Sequence, residues 1–137
     1  MSNNIKLLKD SGFNIKFLQK GDGFNIQNSD TIWITYRIYY EDNPTLSLYT
    51  SSTGGSERPL IIDNFDISSK HLEMVGFYMV LKNLKEGDAV RTNIPINFQK
   101  TYKNQMVTNF KIDYKKDVTL DLLVAKVIKN NKNMGEV

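Results

Sequence analysis

The 137-residue sequence contains no cysteine, one histidine and three prolines. Without cysteine there is no disulfide, no thiol nucleophile and no thiolate metal ligand. His71 has no second histidine to pair with, and no serine stands in a nucleophile-elbow pattern, so triad hydrolysis has no support. Apolar runs are short: nothing approaches the roughly 18 residues of a membrane span, and the opening MSNNIKLLKD lacks the apolar core of a signal peptide. As written, the chain is expected not to be membrane-spanning and to be cytoplasmic. An export signal or lipid-anchor segment lost from its start would instead place it in the cell envelope, periplasmic or lipid-anchored.

Charge of one sign is equally scarce, with 18 basic residues against 15 acidic ones for a net +3. The basic residues are scattered, and the nearest approaches to a patch, Lys115 with Lys116 and Lys126, Lys129 and Lys132, lie in Asn-rich surroundings without interleaved aromatics. They read as solvated surface, and a nucleic-acid partner is not expected. Gly21-Asp22-Gly23 lacks the further glycines and the Lys-Ser/Thr pair of a phosphate loop, so it reads as a tight turn. Asp63, Asp66 and Glu73 match no calcium-loop spacing. Neither a metal nor a cofactor is expected, and nothing demands more than a monomer.

What the chain does have is one domain's worth of apolar residues, 40% hydrophobic against 24% charged. At this length a fold buries about two-thirds of the unfolded surface. Residues 76–88, GFYMVLKNLKEGD, place Phe77, Leu81 and Leu84 at helical spacing before Gly87, which predicts one short amphipathic helix. Stretches of period two flank it. Phe13, Ile15 and Phe17 alternate with polar residues up to Lys20. From Asp30, Ile32, Ile34, Tyr36, Ile38 and Tyr40 share one face and Trp33, Thr35, Arg37 and Tyr39 the other. Leu46 to Tyr49, Pro59 to Ile62, Ala89 to Ile96 and Val118 to Ile128 complete the set. The expected class is α+β: antiparallel strands packed on one helix. Residues 1–11 are expected as a flexible lead-in in which Ile5, Leu7 and Leu8 make a short contact or one helical turn. Residues 12–129 form the domain, and 130–137 a polar tail.

Tyr36, Leu48, Tyr49, Leu60, Met74, Val75, Phe77 and Leu122 form an aromatic and aliphatic set with two readings. They are either plain core or an apolar cleft between sheet and helix that takes a hydrophobic peptide side chain.

In order, the segments GFNIKFLQKGDG, DTIWITYRIYYED, LSLYTSS, RPLII, VGFYMVLKNLKEGD, NIPINF and TLDLLVAKVI resemble the FKBP-type peptidyl-prolyl isomerase domain over roughly residues 12 to 129. The strand carrying Tyr36, the Gly76-Phe77 pair ahead of Gly87, and the Thr119-Leu120-x-x-x-Val124 closing strand agree with that family in detail. The resemblance implies a strongly bent antiparallel sheet of five to six strands wrapped around the short helix, with a pocket between them. It also implies a peptidyl-prolyl cis-trans isomerase or folding helper acting on a proline-containing polypeptide without a cofactor.

Position by position, Phe77 matches the family's tryptophan floor and Tyr36 the tyrosine of the pocket wall. Leu48 and Leu60 take the places of phenylalanines, Met74 that of the aliphatic residue before the floor, and Leu122 that of an aromatic on the closing strand. Two departures stand out. Tyr49 occupies the usual aspartate position, and the loop after Pro95 supplies no aligned tyrosine, leaving Phe98 and Tyr102 as candidates. On this resemblance Tyr36, Tyr49 and Phe77 are the expected catalytic residues, and Leu48, Leu60, Met74, Phe98 and Leu122 the expected substrate-binding ones. The same departures keep open a peptide-binding or chaperone module with weak or no isomerase activity.

Overall fold

The alternation after Asp30 produces the strand on which the rest of the sheet is built. The computed structural model describes residues 3–51, 59–65, 75–99 and 118–130. In chain order these form α1 (Asn3–Asp10), β1 (Lys16–Gln19), β2 (Thr31–Tyr40), β3 (Asn43–Thr50), β4 (Leu60–Ile62), α2 (Val75–Leu81), β5 (Ala89–Ile94), a 3-10 turn (Ile96–Phe98) and β6 (Val118–Ile128). The sheet is antiparallel, curled and six-stranded, with five strands in the order β1-β5-β6-β2-β3 and β4 paired with β2 beside β3. The expected α+β class and the bent sheet around a short helix are thus present.

β2 has β6 along one edge, paired from Thr31↔Ile128 to Tyr40↔Val118. Its other edge is shared between two strands. β3 takes Arg37 to Tyr40, and β4 takes Ile32 to Ile34. Ile32, Ile34, Tyr36 and Ile38 all face the core, as period two requires, opposite Leu120, Leu122 and Val124 of β6. Val90, Thr92 and Ile94 of β5 continue the buried layer.

Two elements depart from the sequence reading. The lead-in expected as flexible is helical from Asn3 to Asp10, because Ile5 and Leu8, one turn apart, are both buried against the core while Leu7 stays exposed. Asn130, just past β6, donates from Nδ2 to Thr31 Oγ1 at 2.6 Å, and the rest of the expected polar tail lies outside the described residues.

The organising helix also ends earlier than Gly87. Its last turn tightens into bonds three residues apart, from Asn83 N to Val80 O and from Leu84 N to Leu81 O. Asn83 Nδ2 meanwhile donates to Met79 O at 2.7 Å. A side chain that bonds the last carbonyls offers the backbone an exit from the helix. Leu84, 2% exposed, then enters the core from a turn instead of from a helix face. Gly87 belongs to that turn, with φ +94°, and a Cβ there would lie 2.8 Å from the Gly21 Cα. The turn closes on β6 where its register slips between Trp33 and Ile34: Gly87 N donates to Val124 O, and Val127 N donates to Glu86 Oε2 at 2.8 Å.

Candidate functional site

Tyr36 lies at the middle of β2 on its inner face, directly opposite Leu122 of β6, which in turn stands opposite Val90 of β5. Phe77 reaches this trio from the first turn of α2. It can do so because its neighbour is Gly76. A Cβ at Gly76 would come within 2.6 Å of Ile94 Cγ2 and 3.1 Å of Phe98 Cβ, so only a glycine lets the helix start directly on β5 and the 3-10 turn. The Tyr36 and Phe77 rings then meet with centroids 4.6 Å apart and planes inclined by 56°. Such tilted aromatic contacts add about 0.5–1.5 kcal/mol to what area burial supplies.

Phe77 is wholly buried, Leu122 is 2% exposed and Tyr36 is 8% exposed. Every side chain of this cluster is uncharged. It is a buried apolar cluster built on two aromatic rings, whose one polar side-chain group is the Tyr36 phenol.

The backbone of Tyr36 is held where β2 passes from one edge partner to the other. Ser51, the next residue after β3, stands opposite it in register. Ser51 N donates to Tyr36 O at 3.0 Å, as a ladder bond would. The return bond differs, since Tyr36 N donates to the Ser51 hydroxyl at 3.0 Å, and that hydroxyl lies 3.4 Å from Tyr36 O.

Of the remaining expected site residues, Leu60 of β4 stands opposite Ile34 and packs half-buried on the core. Phe98 lies in the 3-10 turn with its ring 5.4 Å from that of Phe13. It lies against Gly76, the residue before Phe77. Tyr49 pairs in register with Ile38, and Leu48 precedes it on β3, but the side chains of both lie outside the described part of the structure. Met74 and Tyr102 lie outside the described residues altogether. Tyr36, Phe77 and Leu122 are therefore the three that the fold visibly brings together.

Three features escaped the sequence reading. The first is Ser51. The second is Gln99, fully buried, whose Nε2 donates to Ile94 O at 2.9 Å and closes the turn that carries Phe98. The third is a polar chain across the outer face of the sheet. Arg37 Nε donates to Ser47 Oγ at 2.6 Å, and the Arg37 guanidinium lies 4.4 Å from the Tyr39 ring centre. The Tyr39 hydroxyl donates to Asp121 Oδ2 at 3.0 Å, and Arg91 grips Asp121 through Nε at 2.7 Å and Nη2 at 3.2 Å. The chain crosses β3, β2, β6 and β5 and latches them in register. Burial, followed by the bond to Asp121, pushes the Tyr39 phenol above its ordinary value of 10.0. The Asp121 carboxylate holds the Arg91 guanidinium more firmly protonated.

Among the described residues, no group of three or more histidine, aspartate or glutamate side chains is placed to hold a metal ion. No helix among them is long and apolar enough to cross a membrane.

Solved structures share this architecture. FkpA from Escherichia coli superimposes with a TM-score of 0.59 at 20% identity, over 92% of this chain and 56% of that one. The three FKBP domains of wheat FKBP73 give 0.57 at 14% identity, over 87% and 46%. A peptidyl-prolyl cis-trans isomerase from Pseudomonas syringae gives 0.55 at 12% identity, over 93% and 92%. The chain spans about half the length of the first two. No protein-family model and no curated protein sequence matches it. At these identities the likeness is one of fold, and the fold is FKBP-like.

Proposed function

We propose that this FKBP-like domain is a peptidyl-prolyl cis-trans isomerase, a folding helper that takes an Xaa-Pro segment of a polypeptide between sheet and helix. The observation that carries the reading is the Tyr36–Phe77 contact at 4.6 Å, backed by Leu122, at the start of the helix. Two aromatic rings and a leucine suit the flat, apolar ring of proline.

The chemistry asks little else of the protein. Rotation about an Xaa-Pro bond is slow because amide resonance is lost on the way, a barrier of about 18–20 kcal/mol. The twisted amide has a less polar carbonyl than either planar form, so a dry surface favours it over them. Preferential binding of that state is catalysis without nucleophile, metal or cofactor. In this reading Phe77 and Tyr36 pack the prolyl ring. Leu48, Leu60, Met74, Phe98 and Leu122 exclude water around it, and Tyr49 orients the peptide.

One sequence feature favours a second reading. Tyr49 and the leucines replace an acidic residue and rings of the family's pocket, as a peptide-binding or chaperone module with little turnover would tolerate. The test is cis/trans exchange of proline peptides, with the residue before proline varied, followed by NMR. Native protein is set beside a Phe77→Leu variant of verified fold. Acceleration that the variant loses is the expected result. Peptide binding without acceleration would replace the isomerase by the binding module, and neither binding nor acceleration would remove both.

A further inference from the structure

Tyr36 is the one member of the aromatic pair whose backbone lies at a break in its sheet. From Arg37 to Tyr40 this edge of β2 is paired with β3, through Arg37↔Thr50 and Ile38↔Tyr49 among others. From Ile32 up to Ile34 it is paired with β4, ending at Ile34↔Leu60. Continuing the β3 register by one residue puts Ser51 opposite Tyr36. In an unbroken antiparallel ladder the two residues of such a pair exchange both N–H to O=C bonds. Here one of them is present, from Ser51 N to Tyr36 O at 3.0 Å. For the other, Tyr36 N donates to the Ser51 hydroxyl at 3.0 Å. The hydroxyl stands in for the serine's own carbonyl, so the chain can leave the sheet at this residue without stranding the Tyr36 amide.

We infer that Ser51 is a positioning residue for the proposed reaction: its hydroxyl fixes the Tyr36 backbone at the strand break and so sets the Tyr36 ring on Phe77. This deepens the isomerase reading and depends on it. The physical reason is leverage. Tyr36 carries its ring on two rotatable bonds from a backbone that neither β3 nor β4 pairs fully. A displacement there passes straight to the ring face meeting the proline. Misplacement of a binding surface by about 1 Å suffices to cost up to roughly a hundredfold in rate. The hydroxyl is also the right group for the position. It accepts from Tyr36 N and, 3.4 Å from Tyr36 O, is oriented to donate back to the same residue, which neither alanine nor glycine can do.

The test compares native protein with Ser51→Ala and Ser51→Thr by the same NMR exchange assay, with rates normalised to the folded fraction of each sample. The expected result is a fall of about tenfold or more in kcat/KM for Ser51→Ala. The Tyr36 amide resonance should shift in that variant, and both properties should return toward native in Ser51→Thr, which keeps the hydroxyl. A merely structural role would lower stability and leave the rate per folded molecule unchanged, and that outcome overturns the inference. So does a Ser51→Thr variant as slow as Ser51→Ala despite a native-like fold. If native protein accelerates no peptide, the isomerase reading falls and takes the inference with it. If native protein is active and Ser51→Ala matches it, the inference alone falls.

Discussion

The ring of Tyr36, from the central strand, rests on the ring of Phe77, from the first turn of the helix, with centroids 4.6 Å apart. Sheet and helix are thereby joined through two aromatic faces. Phe77→Ala would leave a cavity beneath Tyr36 at a wholly buried position. A loss of about 3–5 kcal/mol in unfolding free energy is expected. Phe77→Leu should cost clearly less while still removing the flat face. Denaturant unfolding of both variants, alongside the peptide assay, separates stability from function. Equal stabilities for the two would contradict the packing described.

Gly76 is predicted to resist even alanine. The added methyl would sit 2.6 Å from Ile94 Cγ2 and 3.2 Å from Phe98 O, and Ile94 is only 2% exposed. Alanine is the better helix former by about 1 kcal/mol, but relieving this overlap should cost about 1–3 kcal/mol. Net destabilisation is expected, read as a lower denaturant midpoint with unchanged slope. A stabilised Gly76→Ala protein would mean that the helix does not start as close to β5 as it stands here.

Tyr39 should make the domain sensitive to alkali. Its folded-state pKa lies above the ordinary 10.0, because burial and then Asp121 disfavour the phenolate. A group raised in this way binds its proton more tightly in the folded state. Its contribution is complete below the ordinary tyrosine value and is lost as pH climbs through the raised one. Stability should therefore begin to fall near pH 10, with the Tyr39 phenol titrating late in the phenolate absorbance. Tyr39→Phe should remove that late step and flatten the alkaline limb. A titration in which all tyrosines ionise together would refute it.

Lys129 Nζ contacts Asp30 Oδ2 at 2.7 Å and Asn25 O at 2.6 Å, and the Asp30 side chain is only 1% exposed. Lys129→Met strands a buried carboxylate whose other oxygen already lacks a hydrogen-bond partner. Removing one partner of such a pair typically costs about 3–5 kcal/mol. Adding Asp30→Asn should restore part of the loss, measurable by thermal or denaturant unfolding of the two variants. A single variant as stable as native would show the pair to be dispensable.

How much of this was readable beforehand depended on whether a residue's role is local. β2 was legible because five apolar side chains recur at period two, and such a run can bury only one face. Phe77 was legible as a large ring entering at the helix start because Gly76 precedes it, and it is wholly buried there. The helix end was misplaced because Gly87 is the usual stop signal, whereas Asn83, bonded to Met79 O, ended the helix first. The helix over Asn3–Asp10 was undervalued because only Ile5 and Leu8 of its residues carry the burial, too few to show a period. Ser51 and the chain Ser47–Arg37–Tyr39–Asp121–Arg91 were invisible for a different reason. Every link except Arg37–Tyr39, which are neighbours on one face of β2, joins residues distant in the chain, and only the register of the sheet discloses which of them meet. Phe98 was assigned by its order in the chain, and its ring contact with Phe13 likewise depends on how β1 lies against β5.

The divided edge of β2 has an evolutionary consequence. Ser51, bonded to Tyr36 through its amide and its hydroxyl, and Leu60, paired with Ile34, are each held in place, so the chain between them connects two fixed stems. Lengthening such a connection is cheap, about 0.6 kcal/mol for each doubling. New sequence can therefore be spliced there without moving Tyr36 or the helix beneath it. A lineage could rewrite that one connection while the Tyr36–Phe77 contact is inherited unchanged.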